Sequence, residues 1–283
     1  MESLLKSFEL FLRAEGKSPK TIETYRDGVR SLIRFLDGDK PTREAIIRYR
    51  EHLSLTKSPA TAANRHRSLK AFFKWAEQEG EIKNPMLGLR VPKCPIQPPD
   101  ILTNTDLKKL LEACRGMNMI DKRDEAILRL FIDTGMRRAE VSALTVEDID
   151  TDTAIVVCTG KGGRRRVVPI GPQTQRSLDR YLRVRAKHRC RHLDNLWLGK
   201  TGALSYSGLY QAVRERAAKA GVVMHPHLLR HTFAHRWLSA GGQEGDLMQV
   251  AGWRNRAMLG RYGASAAAQR AVAAARKLHL DDF

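Results

Sequence analysis

The apolar positions of the first ninety residues recur at helical spacing. Leu4, Leu5, Phe8, Phe11 and Leu12 make one stripe, and Ile22, Tyr25, Val29, Leu32, Ile33 and Leu36 make a second. Between them stands Ser18-Pro19, an N-cap hydroxyl followed by a proline at the first helical position, where its missing N–H costs nothing. Ser58-Pro59 repeats that start signal. It opens a helix whose Ala62, Leu69, Phe72, Phe73 and Ala76 face inward, while Arg65, Arg67, Lys70 and Lys74 form a basic set on the same helix. The pattern predicts a helical domain over residues 1–92.

Four prolines then fall between Val91 and Asp100. They disfavour helix and predict a stiff, extended linker at 93–100, with a second domain over 101–283. That domain opens on Thr103-Asn104-Thr105-Asp106, a capping signal before Leu107, Leu110 and Leu111. A helix is expected over Lys122–Asp133, with Ala126, Ile127, Leu130 and Phe131 inward. From Thr153 to Ile170 the period changes. Ile155, Val156 and Val157 are β-branched, Gly160-Lys161-Gly162-Gly163 can turn the chain, and Arg164–Ile170 reads as a returning strand. Further helices are expected near 172–188, 205–220, 228–240, 243–251 and 264–278. The fold class is mainly α, with a small antiparallel β-sheet in the second domain.

Charge narrows the function. The chain has 50 Lys plus Arg against 31 Asp plus Glu, a formal net charge of +19. Both domains share the excess, so both can touch a polyanion, of which nucleic acid is the commonest large one. Cys94, Cys114, Cys158 and Cys190 stand far apart, which argues against a zinc ribbon or a disulfide framework. The first residues carry acids within their apolar stretch and do not read as a signal peptide. No apolar run reaches the ~18 residues of a membrane span. The expected setting is reducing and cytoplasmic, without a membrane.

Chemistry is carried by scattered residues. In Thr134-Gly135-Met136-Arg137-Arg138-Ala139-Glu140 the glycine stops a helix and Arg137 begins the next, where anions are favoured. Lys161 sits in the glycine turn, either as a solvated hairpin tip or as a mobile cation for a phosphate oxygen or leaving group. His227 and Arg230 are three apart, on one helical face. His227, His231 and His235 also recur at i, i+4 and i+8, but no carboxylate accompanies them in the zinc-protease manner and i+8 lies more than two turns away. No metal is assigned. Tyr262 follows Trp253 by nine residues. A tyrosine is ordinarily structural, and becomes a nucleophile only where its phenolate is favoured, as converging arginines would do.

Taken together, T-G-M-R-R-A-E, G-K-G-G-R-R-R-V-V-P-I, H-L-L-R-H-T-F-A and G-W followed by Tyr262 resemble, in order and spacing, the tyrosine recombinases, or phage integrase family. The resemblance covers the whole second domain. The helical region before it is similar to the family's core-binding domain in size and in its exit through Asn84-Pro85 and Pro92-Lys93. The layout looks like the compact two-domain Xer recombinases and simple phage integrases. The resemblance implies a helical core-binding domain followed by a tyrosine-recombinase catalytic domain, and site-specific breakage and rejoining of DNA without metal, cofactor or ATP. Tyr262 would attack the scissile phosphate to give a 3′-phosphotyrosyl bond, and Arg137 and Arg230 would hold the non-bridging oxygens. Lys161 would protonate the departing 5′-oxygen, and His227 would act as general base or acid. Trp253 fills a position that many members give to histidine; its indole N–H can donate but cannot carry a proton. Glu140 would orient its neighbours.

The implied partners are double-stranded DNA with a specific core site and a homotetramer on that DNA, passing through a Holliday junction. Integration, excision and resolution all fit, and an accessory DNA-bending or directionality protein is compatible with each. The helices near 58–79 and 205–220 would enter grooves, with Tyr206, Arg214, Arg216 and Lys219 as contacts on the second. The Ala-rich helix after Tyr262 would pack on a neighbouring protomer. Two other classes stay open: a DNA-binding protein that kept the fold and lost the chemistry, and a type IB topoisomerase, which shares the chemistry but relaxes DNA as a monomer.

Overall fold

After an opening helix whose N-cap is Met1, serine and threonine caps start the remaining helices of the first unit. Ser18 Oγ accepts from Thr21 N at 3.2 Å to open α2 (Pro19–Leu36), and Ser58 Oγ accepts from Thr61 N at 3.3 Å to open α4 (Pro59–Gln78). Thr42 caps α3 (Arg43–Thr56) in the same way, and α1 (Glu2–Ala14) precedes them. The structure, a computed structural model, describes residues 1–92, 94, 100–160, 163–253, 255, 256, 259, 271, 272 and 275. The chain divides into two units, Met1–Ile96 and Gln97–Phe283. Most of the expected linker, and most of the helix expected at 264–278, lie outside the described residues.

The first unit packs an aromatic core. Phe8 meets Phe72 edge-on at 5.4 Å and Trp75 at 5.2 Å, so α1 and α4 are joined by rings, with Leu32, Ile46 and Tyr49 buried beside them. Burying such side chains contributes roughly 1.5–3 kcal/mol each. Arg67, Lys70 and Lys74 stay exposed on α4, and Arg65 is half-buried.

The second unit is built around α6 (Met119–Thr134), whose Ala126, Ile127, Leu128, Leu130 and Phe131 are buried. It packs on α5 (Asn104–Glu112), α8 (Pro172–Arg185), α9 (Tyr206–Lys219) and α10 (Pro226–Ser239). Thr103 and Asp106 complete a capping box at the start of α5. After the five-residue α7 (Arg138–Ser142), strands β1 (Ile149–Asp150), β2 (Ile155–Thr159) and β3 (Arg165–Pro169) form an antiparallel sheet in the order β1-β2-β3. Val156 pairs with Val168 and Cys158 with Arg166. Helix α11 (Glu244–Ala251) follows α10. The fold is mainly α with a small antiparallel sheet, as the periodicity predicts.

Candidate active site

Gly135 ends α6 in a left-handed conformation, φ 57°, with Phe233 of α10 so close that a Cβ there would lie 2.3 Å from the ring. Only glycine meets both demands at low cost. The turn delivers Arg137 as the N-cap of α7. Arg137 N donates to Glu140 Oε2 at 2.7 Å, its Nη1 donates to Glu140 Oε1 at 2.8 Å, and its Nη2 donates to the Gly252 carbonyl at 3.0 Å. Its side chain remains 40% exposed, so its guanidinium is accessible to a ligand. Trp197 holds α7 from below, its indole N–H donating to the Val141 carbonyl at 2.7 Å.

Helix α10 starts at Pro226, and its N-cap His225 accepts from Leu228 N through Nδ1 at 3.2 Å. This places His227 on the surface and Arg230 inside. Arg230 donates to the Gly135 carbonyl through Nη1 and to the Ala251 carbonyl through Nη2, both at 2.6 Å. Its guanidinium carbon stands 5.3 Å from the centre of the Trp253 ring. Arg230 is 1% exposed, so a phosphate must gain access before it can bind there. His227 meets His231 edge-to-face at 4.6 Å between ring centres.

Glu140 ties the site together. Besides Arg137 it accepts from Arg166 of β3, Nη1 to Oε1 and Nη2 to Oε2, each at 2.9 Å. Burial pushes the Glu140 carboxyl up, but the bonds from Arg166 and Arg137 outweigh it and hold the group down at about 2. It is therefore a fixed anion. Neighbouring Cys158 goes the other way, pushed up by burial to about 11 despite Arg166, and stays a neutral thiol.

The structure thus gathers Arg137, Glu140, Arg230 and Trp253 from α7, α10 and the end of α11. Lys161 and Tyr262 lie outside the described residues. Of the expected DNA contacts on α9, Tyr206, Arg214 and Lys219 are exposed. Arg138 stacks over Tyr206 at 3.8 Å and over Tyr210 at 4.8 Å. Arg216, also expected on DNA, is engaged within the unit. Its Nε donates to Asp124, its Nη2 to Asp121 and its Nη1 to the Ala113 carbonyl, at 2.8, 2.8 and 2.9 Å, which leaves its side chain 11% exposed. It braces α9 against α6. In the sequence Arg166 looks identical to its neighbours Arg164 and Arg165. Strand alternation with Val168 and Ile170, both inward, is the signal that marks it.

Known proteins align with this chain along nearly its whole length. The model of the phage integrase family matches residues 100–269, and the model of the phage integrase N-terminal SAM-like domain matches residues 4–80. The tyrosine recombinase XerC of Chromobacterium violaceum is 30% identical over 265 residues, covering 90% of this chain and 87% of that protein. Among solved structures, the XerA recombinase is 28% identical, covers 92% of each chain and superposes with a TM-score of 0.54. The XerH recombinase in a post-cleavage complex with a palindromic difH substrate is 19% identical and shares the fold, with a TM-score of 0.76 over 92% of this chain and 81% of that one.

Proposed function

The chain belongs to the phage integrase family of tyrosine recombinases, and from that premise we propose that it recombines DNA at a specific core site through a 3′-phosphotyrosyl intermediate. The observation that carries the reading is the meeting of Arg137 and Arg230 on adjacent carbonyls, Gly252 and Ala251, beside Trp253. Two guanidiniums so close can take the non-bridging oxygens of one phosphate and stabilise the charge of its pentacoordinate state. Tyr262 supplies the nucleophile: its oxygen bonds to phosphorus as the 5′-oxygen leaves. Lys161 gives that oxygen its proton. His227, exposed at the first turn of α10, serves as general base or acid for the phenol. Trp253 donates its N–H to the phosphate and moves no proton. The roles of Lys161 and Tyr262 rest on the motif match.

The phosphotyrosyl bond conserves the energy of the phosphodiester, so rejoining needs no nucleotide. Two rounds of exchange pass through a Holliday junction within a homotetramer. Arg65, Arg67, Lys70 and Lys74 of α4 and Tyr206, Arg214 and Lys219 of α9 meet the duplex, and an accessory bending or directionality protein sets the outcome. Among the described residues no helix is long and apolar enough to cross a membrane, and we place the reaction in the cytoplasm with the DNA.

The test uses a duplex that the protein itself selects from a random pool. Two copies are set head to tail on a supercoiled plasmid. The reading expects loss of the intervening segment as a circle. Relaxation that needs no selected site, without exchange products, would instead support the topoisomerase class.

A further inference from the structure

Three consecutive carbonyls at the end of α11 each receive an arginine. Val250 O accepts from Arg166 Nε at 3.0 Å, Ala251 O from Arg230 Nη2 at 2.6 Å, and Gly252 O from Arg137 Nη2 at 3.0 Å. The last carbonyls of a helix carry partial negative charge, so cations are favoured there. Arg166 differs from the other two in what its remaining donors do. Both its Nη atoms fork onto Glu140, whose oxygens also accept from Arg137. Its side chain is 15% exposed, well out of reach of most solvent, whereas Arg164 and Arg165 are exposed.

We propose that Arg166 is a positioning residue for strand cleavage: it locks Glu140 and the end of α11 into one frame that sets Arg137 and Arg230 against the phosphate. The inference rests on the recombinase reading. Through Glu140, Arg166 fixes where the Arg137 guanidinium points. Through Val250 it fixes the carbonyls on which Arg137 and Arg230 rest, and the chain that runs on to Trp253. A lysine cannot replace it, because one ammonium lacks the planar fork that reaches both carboxylate oxygens and a carbonyl at once. A misplacement of about 1 Å in such a frame costs on the order of 100-fold in rate.

The frame also makes a pH signature. Among the described residues, the charged or titratable groups facing Glu140 are Arg137 from the N-cap of α7, Arg166 from β3 and Cys158 from β2. Without Arg166 the Glu140 carboxyl rises towards its ordinary range, and acid then protonates it and frees Arg137.

The experiment measures single-turnover cleavage of a nicked suicide duplex, chosen by the protein from a random pool, for the wild type, R166Q, R166K and E140Q. Duplex affinity is measured on the same samples. R166Q is expected to bind within about twofold of wild type and to cleave about 100-fold more slowly. R166K should recover less than a tenth of the wild-type rate. Beyond the acid limb that His227 gives every variant, R166Q should show an added limb from Glu140 that moves to higher pH than in wild type, and E140Q should lack that added limb. Cleavage by R166Q within about threefold of wild type overturns the inference, as does a loss of cleavage that only follows the loss of binding with the Glu140 limb unmoved. If R166Q does not fold, R166K decides by the same two readouts. A wild type that binds but never forms a covalent complex overturns the recombinase reading itself; a wild type that cleaves leaves that reading standing whatever Arg166 does.

Discussion

Replacing Glu140 by glutamine removes the anion shared by Arg137 and Arg166 while keeping the volume. Glu140 is 4% exposed and takes four donor bonds, two from each arginine. Its carboxyl lies at about 2 in the folded protein. An unfolded glutamate titrates near 4.3, and each pH unit of difference is worth about 1.36 kcal/mol, which puts the linkage at about 3 kcal/mol. Breaking a buried ion pair by removing one partner costs about 3–5 kcal/mol by mutation, in agreement. A unit of this size loses about 2–4 °C of Tm per kcal/mol, so the 97–283 transition should fall by about 6–12 °C at pH 7. The sign of the pH dependence follows from the depressed pKa. The stabilisation is fully present above the unfolded pKa and is lost as pH falls through the folded one. Wild type and Glu140→Gln should therefore converge between pH ~4 and pH ~2. Calorimetry of both proteins across that range is the assay. A Tm shift under about 2 °C at pH 7, or a gap that stays constant down to pH ~2, would refute the reasoning.

Other outcomes follow from the same geometry. Arg216→Ala should cost about 1.5–3 kcal/mol in denaturant unfolding, because Asp121 loses its guanidinium and Asp124 is left with Arg123 alone, while the salt slope of DNA binding by the folded protein stays unchanged. Lys70→Ala and Lys74→Ala should do the reverse: stability within about 0.5 kcal/mol of wild type, and a salt slope of DNA binding reduced by about 1 each. Lys161→Ala should slow cleavage of an ordinary phosphodiester by about 100-fold or more and recover on a duplex with a 5′-bridging sulfur, since a thiolate leaves without a proton; equal defects on both substrates would remove Lys161 from the role of acid.

Much of the fold can be read from local chemistry. Ser18, Ser58 and Thr103 cap the helices their sequences announce, and the stripes around Leu32 and Phe72 are buried. The β-branched run at Ile155–Val157 forms the sheet it implies. Gly135 ends its helix as expected, and Arg137 stands at the start of the next. What periodicity cannot read is which of several like-charged residues turns inward. Arg216 and Arg214 lie two apart on α9, yet one faces Asp121 and Asp124 and the other faces solvent, a difference set by α6 nearly a hundred residues earlier. Arg166 is a similar case, since its value comes from pairing with Glu140 and with a carbonyl of α11, both distant in sequence. The burial of Arg230 is likewise a tertiary fact. A motif identifies the residue; only packing reveals that its guanidinium is covered by its own site.

The central claim is that Tyr262 takes the phosphate. The most direct measurement is to trap the protein on a nicked suicide duplex, digest the complex and read the modified peptide by mass spectrometry. The account predicts a nucleotide adduct on Tyr262, joined through a 3′-phosphate, and no covalent complex from Tyr262→Phe. An adduct on any other residue, or a covalent complex that survives Tyr262→Phe, would contradict it.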